Sequence, residues 1–260
     1  MKWADEAEAA IKNVPFFLRK KVRKKVEAHV QSNGKSSVDL EDVIALKKQF
    51  LSRGGMEKEM KGYEISTCFG GEGCPNSAHS CATLLPQIRV LMENADLFSF
   101  LKATVSGDLK FHHEFRVSLS DCPNACSRPQ IVDIGIIGAA RPLKGANECT
   151  LCNACVDACP DGAICLDKGS LVIHEALCLG CGKCGAVCPT GTIEDGEKGF
   201  RVLLGGRLGR HPRLALEVPG IQTKAQVLNI VENSLNFYKT HSKNGHRFSK
   251  ILTSIDQVLP

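Results

Sequence analysis

Eight of the fourteen cysteines fall into two copies of one spacing, Cys149, Cys152, Cys155, Cys159 before Pro160 and Cys178, Cys181, Cys184, Cys188 before Pro189. Each run separates three thiols by two residues and sets a fourth beyond three more. Three thiolates can then grip one face of an iron–sulfur cubane while the fourth reaches a different iron, and the proline ends the segment. Cysteines alone would also allow a zinc site or a disulfide framework. Zinc motifs rarely repeat a 2-2-3 spacing with a trailing proline, and the N-terminus, MKWADEAEAA, carries acids where a secretory signal would be apolar.

The pair of runs resembles the two-cluster bacterial ferredoxins, over a block of roughly residues 142–198. That resemblance implies that the fourth cysteine of each run crosses over. Cys149, Cys152, Cys155 and Cys188 would hold one [4Fe–4S] cluster, and Cys178, Cys181, Cys184 and Cys159 the other.

Four further cysteines have a spacing of their own: Cys68 and Cys74 are separated by five residues, and Cys122 and Cys126 by three within Asp121-Cys-Pro-Asn-Ala-Cys-Ser-Arg128. Four more thiolates can hold a third cluster. Here the chain resembles the sirohaem-dependent sulfite and nitrite reductases, through Cys-x5-Cys, then Cys-Pro-Asn-x-Cys, Ile131 to Gly138 and Leu204-Gly205-Gly206-Arg207-Leu208-Gly209-Arg210-His211-Pro212-Arg213. The resemblance covers most of residues 63–240 once the ferredoxin-like block is set aside. It implies that Cys68, Cys74, Cys122 and Cys126 bind a [4Fe–4S] cluster and that the Cys126 thiolate is also the axial ligand of sirohaem iron. Arg128, Arg207, Arg210 and Arg213 become candidate partners for the sirohaem carboxylates, because guanidinium forks match carboxylates. Gly205, Gly206 and Gly209 would let backbone approach the macrocycle closely. Arg116 and His113 are the candidate catalytic residues, on the distal face. Where the family carries Lys-x-Lys this chain reads Glu114-Phe115-Arg116, and a carboxylate beside an anion adds repulsion. Cys81 and Cys165 read as core residues, since free cysteine is commonly buried.

The elements that must position these groups can be sketched from pattern. An alternating strand is expected at Phe115–Leu119, an apolar strand at Ile131–Ile137 and another at Phe200–Leu204, with a helix after Pro86. Thr223 and Gln226 form a capping box ahead of a helix that buries Val227, Ile230, Val231 and Leu235. The ferredoxin-like block is then an insertion between two strands of one domain, which comprises residues 60–141 and 199–260.

Residues 1–52 form a separate helical unit. Residues 1–62 hold 14 Lys and Arg against 9 Asp and Glu, whereas the remainder balances at 19 against 19, so the net charge of +5 belongs to this end. Leu18, Val22, Val26 and Val30 repeat at four-residue steps among Arg19, Lys20, Lys21, Arg23, Lys24 and Lys25, which gives a basic amphipathic helix. Pro15 opens it, Gly34 ends it, a second helix capped near Asp39 runs through Leu40, Ile44 and Phe50, and Arg53-Gly54-Gly55 breaks that helix. Trp3 to the second helix resembles the small helical domain that closes the B-type subunit of light-independent protochlorophyllide reductase, which links the segment to tetrapyrroles by association.

The fold class that emerges is α+β, a sirohaem and [4Fe–4S] reductase half-domain with an inserted bacterial-type ferredoxin domain and a small N-terminal helical domain. The expected function is an oxidoreductase with three [4Fe–4S] clusters and sirohaem, reducing sulfite or nitrite. The competing expectation is an electron-transfer subunit without its own anion reduction. A redox protein partner and a homo-oligomer that supplies the second reductase half by symmetry are expected. No nucleic-acid-binding motif is present, no apolar run approaches the roughly 20 residues that span a bilayer, and free cysteines suit the cytoplasm.

Overall fold

The computed structural model describes residues 1–12, 14, 16–52 and 60–259. The expected roles of Pro15 and of Arg53-Gly54-Gly55 lie outside the described residues, as does the side chain of Phe50. Two compact units result, one of Met1–Met60 with Asp108–Lys110, the other of Lys61–Gly107 with Phe111–Pro260.

The first unit threads β1 (Lys2–Trp3), α1 (Asp5–Lys12), α2 (Phe16–Ser32), β2 (Ser37–Val38) and α3 (Leu40–Ser52). The four-residue apolar step along α2 does what its period predicts. Val26 and Val30 are buried with Ala7 and Val38, and Trp3, Val22, Val43 and Leu46 close around them. At the start of α3 the Asp42 carboxylate accepts the Asp39 N–H at 3.0 Å and pairs with Lys35 at 2.8 Å. Part of the basic charge is used within the unit: the Arg23 guanidinium lies 4.6 Å from the Trp3 ring centroid and pairs with Glu8, and Arg19 donates to the carbonyls of Val14 and Lys12.

The second unit is built on a five-stranded sheet in the order β3 (Tyr63–Thr67), β4 (Phe115–Ser120), β5 (Ile134–Lys144), β8 (Ile193–Leu204) and β9 (Leu216–Glu217). β3, β4 and β5 are parallel; β8 and β9 are antiparallel additions. A parallel pair needs a long crossover, and α4 (Leu85–Asn94) and α5 (Leu97–Thr104) lie in the one between β3 and β4. The capping box forms as expected, with Thr223 accepting the Gln226 N–H, and it opens α8 (Lys224–His241). This helix buries Val227, Ile230, Val231, Leu235 and Tyr238, each such side chain contributing roughly 1.5–3 kcal/mol. Phe115 of β4 packs on Tyr238 at 5.1 Å and on Phe248 of α9 (Phe248–Ile251) at 5.4 Å between ring centroids.

Two expected strands differ in extent. Pro129–Ile131 forms a 3-10 turn and β5 starts only at Ile134, while β8 starts at Ile193, before the expected Phe200. The cause is their mutual pairing, which runs from Ile134 against Leu204 out to Lys144 against Ile193, with a bulge between Ala140 and Pro142 that accommodates the proline. The cysteine-rich block therefore leaves from the far end of one long hairpin. It contains α6 (Ala154–Asp157), the hairpin β6 (Ile164–Asp167) and β7 (Ser170–Ile173), and α7 (Lys183–Val187). Among the described residues no helix is long and apolar enough to cross a membrane.

Candidate functional site

Inside the block the two runs interleave. One cavity is lined by Cys149, Cys152 and Cys155 of the first run and Cys188 of the second; another by Cys178, Cys181 and Cys184 of the second and Cys159 of the first. Each cavity thus gathers the crossed set of four thiols, as an all-sulfur donor set for a cubane requires. Apolar Leu166, Leu171 and Ile193 wall the first cavity, and Ala163 and Ile164 the second. Backbone N–H groups point at the sulfurs, from Leu151 to Cys149 at 3.4 Å, Ala163 to Cys159 at 3.2 Å and Ile193 to Cys188 at 3.5 Å. The Ile193 N–H, helped by the Thr190 hydroxyl and neighbouring amides, pulls the Cys188 thiol down to about 7, whereas burial pushes Cys184 up to about 11. Thiolates are the ligands, so these amides favour the form that binds iron.

The third set lies in the body of the unit. Cys68 follows β3, and Cys122 and Cys126 stand in the loop after β4. Burial raises the Cys122 thiol; the Asn124 amide opposes this, and Cys126, Cys68 and Cys74 all lie close enough to raise it further. The Cys68 sulfur accepts N–H groups from Gly70 and Asp121, each at 3.3 Å. The loop is tied to β4 by serines. Ser118 donates to the Ser127 carbonyl at 2.6 Å, and the Ser127 hydroxyl donates to the Leu119 carbonyl and meets the Ser120 hydroxyl, both at 2.7 Å. Ala125 and Arg128 take left-handed backbone, φ 53° and 60°, which turns Cys126 outward. Cys122 is buried and Cys126 exposed.

Cys126 opens onto a groove of about 420 Å³, lined also by Glu64, Ser66 and Thr67 of β3, Arg116 and Val117 of β4, Ser127, Arg128, Ile131, Val132, Leu208 and Arg247. Of the arginines expected from sequence, Arg116 and Arg128 are on it. Arg207 and Arg213 are not among its lining residues, because their guanidinium groups are spent on backbone. Arg207 donates to the carbonyls of His211 and Ser249, and Arg213 to those of Gly205 and Leu252. Arg210 is exposed and also off the lining. Gly205 and Gly206 are required by the protein's own packing: a Cβ would fall 2.6 Å from the Arg213 guanidinium at the first and 2.4 Å from the Gln130 carbonyl oxygen at the second. Gly209, at φ 115°, has nothing within 4 Å of such a Cβ.

His113 is half-buried near Gly245 and does not line the groove. Glu114, expected to repel an anion, is buried and accepts the Lys61 N–H at 3.3 Å, and burial raises its carboxyl above the usual range. The acid that does face the groove is Glu64, which pairs with Arg116 at 3.2 Å. Cys81 is buried, as expected of core. Cys165 is half-exposed on β6, its sulfur 3.4 Å from His174 Nε2, because the short hairpin covers only one face.

Sequence reasoning missed Arg247 and Asp133. Asp133 is buried, and its Oδ2 accepts the Arg116 backbone N–H at 3.0 Å and an Arg247 N–H at 3.1 Å. One donor is left over, the buried Nε of Arg247, which has no hydrogen-bond partner, whereas Nε of Arg116 lies 3.2 Å from Glu64 Oε2 in an ion pair. Arg247 lies more than a hundred residues from the Cys-Pro-Asn loop, and no local motif marks it.

The nitrite and sulphite reductase 4Fe-4S domain family matches residues 102–256. The chain belongs to this family. The coenzyme F420-dependent sulfite reductase of Methanocaldococcus jannaschii is 27% identical over 231 residues, which is 87% of this chain and 34% of that protein. An anaerobic sulfite reductase subunit of Salmonella typhimurium is 32% identical over 132 residues, 49% of this chain and 39% of that protein. The chain therefore spans between a third and two fifths of these two relatives. Residues 3–47 match the proto-chlorophyllide reductase 57 kD subunit family, and the B-type subunit of the light-independent protochlorophyllide reductase of Chlorobium luteolum is 56% identical over 41 residues, 16% of this chain and 8% of that protein. The reductase-domain membership makes this an iron–sulfur protein, with the N-terminal unit as a joined second module.

Proposed function

We propose that this chain is a sulfite or nitrite reductase-type oxidoreductase that holds three [4Fe–4S] clusters and one sirohaem. The observation that carries the reading is the placement of Cys126. Its spacing groups it with Cys68, Cys74 and Cys122, and it stands in the wall of a groove that presents Arg116, Arg128 and Arg247. The residues fit a polycarboxylate tetrapyrrole, since Arg128 is exposed on the groove and the buried Nε of Arg247 has no hydrogen-bond acceptor, and a carboxylate would pair with either. A bound sirohaem supplies an iron at which an oxyanion can be reduced.

The chain's own residues do the rest. Cys126 would hold the sirohaem iron through its thiolate and, with Cys68, Cys74 and Cys122, would also hold the third cluster. Arg128, exposed at the rim, would pair with sirohaem carboxylates, and Arg116, held through its backbone by Asp133 and paired with Glu64, would meet the anion. Ile131, Val132 and Leu208 would exclude water from a ring held in the groove. The substrate class is a small oxyanion, and electrons come from a redox protein partner. A methyl-viologen-linked assay of the anaerobically purified chain tests this; consumption of sulfite or nitrite that Arg116→Ala reduces at least about tenfold is expected.

A second reading has a specific observation behind it. Glu64 already pairs with Arg116 at the groove. On that reading the chain is an electron-transfer subunit and a partner, or a second copy, completes the anion site. Full sirohaem loading with no turnover by the isolated chain would favour it.

A further inference from the structure

The two cysteine runs of the insert match position for position, yet the fold treats them differently. Both pass through left-handed backbone at the same two places, Leu151 (φ 56°) and Asn153 (60°) in the first run, Gly180 (70°) and Gly182 (72°) in the second. In the first run Thr150 to Asn153 are all exposed, Cys152 included. In the second run the two positions are glycine and lie close against β5. A Cβ on Gly180 would stand 3.2 Å from the Ala139 Cβ, and one on Gly182 3.3 Å from the Ala140 Cβ. The Gly180 carbonyl accepts the Ala140 N–H at 2.7 Å, and Cys181 bridges Ala140 in parallel register.

The same strip of β5 is tighter still on its other contacts. A Cβ on Gly138 would fall 2.0 Å from the His79 carbonyl oxygen and 2.8 Å from that of Asp121. Asp121 in turn donates its N–H to the Cys68 sulfur. Three consecutive small residues, Gly138-Ala139-Ala140, therefore touch the ligand loop of Cys181 and, through Asp121, a ligand of the third set.

We propose that the two ferredoxin-type sets are inequivalent in a fixed order. The set of Cys159, Cys178, Cys181 and Cys184 is the inner one, connected through Gly138–Ala140 to the Cys68 set. The set of Cys149, Cys152, Cys155 and Cys188 is the outer one, and its exposed Thr150–Asn153 edge is where a one-electron reductant delivers. Each electron the inner side gains is one the outer side gives up and the reductant replaces. This rests on the reading that both sets hold clusters, but not on sirohaem or on turnover.

The test is low-temperature paramagnetic resonance of the reduced, anaerobically purified full chain, with and without a soluble dysprosium chelate, in wild type, Leu151→Asp and Gly182→Ala. Leu151→Asp adds a negative charge at the exposed edge and should lower the midpoint of one ferredoxin-type signal. That same signal should be the one the chelate relaxes. The other should be protected, should be the one that Gly182→Ala perturbs, and should carry the spin coupling to the third cluster. Equal relaxation of both signals, or coupling carried by the Leu151-sensitive signal, overturns the order. Failure to find sirohaem sinks the reductase reading and leaves this comparison intact; fewer than two ferredoxin-type signals overturns both.

Discussion

The buried Asp133 carboxylate pairs with the half-buried Arg247, 3.1 Å between Oδ2 and the guanidinium, and Arg247 lines the groove onto which Cys126 opens. The same carboxylate oxygen takes the Arg116 backbone N–H, so one buried acid orients two arginines that come from opposite ends of the domain.

Breaking that pair leaves a buried charge alone. Arg247→Ala should cost about 3–5 kcal/mol of stability, measured by urea unfolding under anaerobic conditions. Burial already raises the Asp133 carboxyl, and Arg247 is the chief charge opposing it. Without Arg247 the carboxyl rises further and the folded state binds a proton more readily. The deficit of the variant should therefore be full at neutral pH and narrow as pH falls through the raised carboxyl range. A deficit that widens on acidification would contradict the assignment.

Glu114 offers an independent pH test. Its carboxyl is raised first by burial, and the Lys61 amide only partly opposes this. A raised carboxyl favours the folded state below its unfolded pKa, and that advantage is lost as pH rises through the folded value. Glu114→Gln should thus raise the thermal midpoint at neutral pH and leave it unchanged below about pH 4, near the unperturbed glutamate value.

Arg213 and Arg128 separate packing from ligand binding. Arg213→Ala removes donors to two backbone carbonyls and should destabilise the chain by roughly 1.5–3 kcal/mol per lost charged hydrogen bond, with the sirohaem content of the folded fraction unchanged. Arg128→Ala, at an exposed rim position, should leave stability within about 0.5 kcal/mol and lower sirohaem retention during gel filtration.

Cys165 stands outside all three thiol sets. Cys165→Ser should leave iron content unaltered, whereas Cys155→Ser and Cys184→Ser, which change buried ligands, should each lose iron and destabilise the insert, as quantified by iron analysis per folded chain.

Much of this was legible in the sequence because spacing encodes it. Ligand chemistry fixes the intervals between cysteines in each run, and Thr223 with Gln226 marks a helix start through local hydrogen bonds alone. The buried valines of α2 follow from a four-residue period for the same reason, since each depends on near neighbours in the chain. What was not legible depends on distant partners. Arg207, Arg210 and Arg213 sit in a motif-rich segment that invites a ligand role, but whether an arginine faces a groove or a backbone carbonyl is decided by Ser249 and Leu252, about forty residues on. Arg247 and Asp133 find each other across more than a hundred residues. The extent of β5 and β8 escaped pattern reading because an exposed arm such as Glu194–Lys198 is polar, and only the pairing with Ala139–Lys144 makes it a strand.

The most direct measurement is acid-acetone extraction of tetrapyrrole, with iron quantification and a visible spectrum, on anaerobically purified chain and on Cys126→Ser made in a host that synthesises sirohaem. Sirohaem near one per chain with about twelve irons, three cubanes of four, is expected for the wild type, and loss of the sirohaem with retention of about eight ferredoxin-type irons for the variant. Cluster absorption without extractable sirohaem in the wild type, or sirohaem undiminished in Cys126→Ser, would contradict the account.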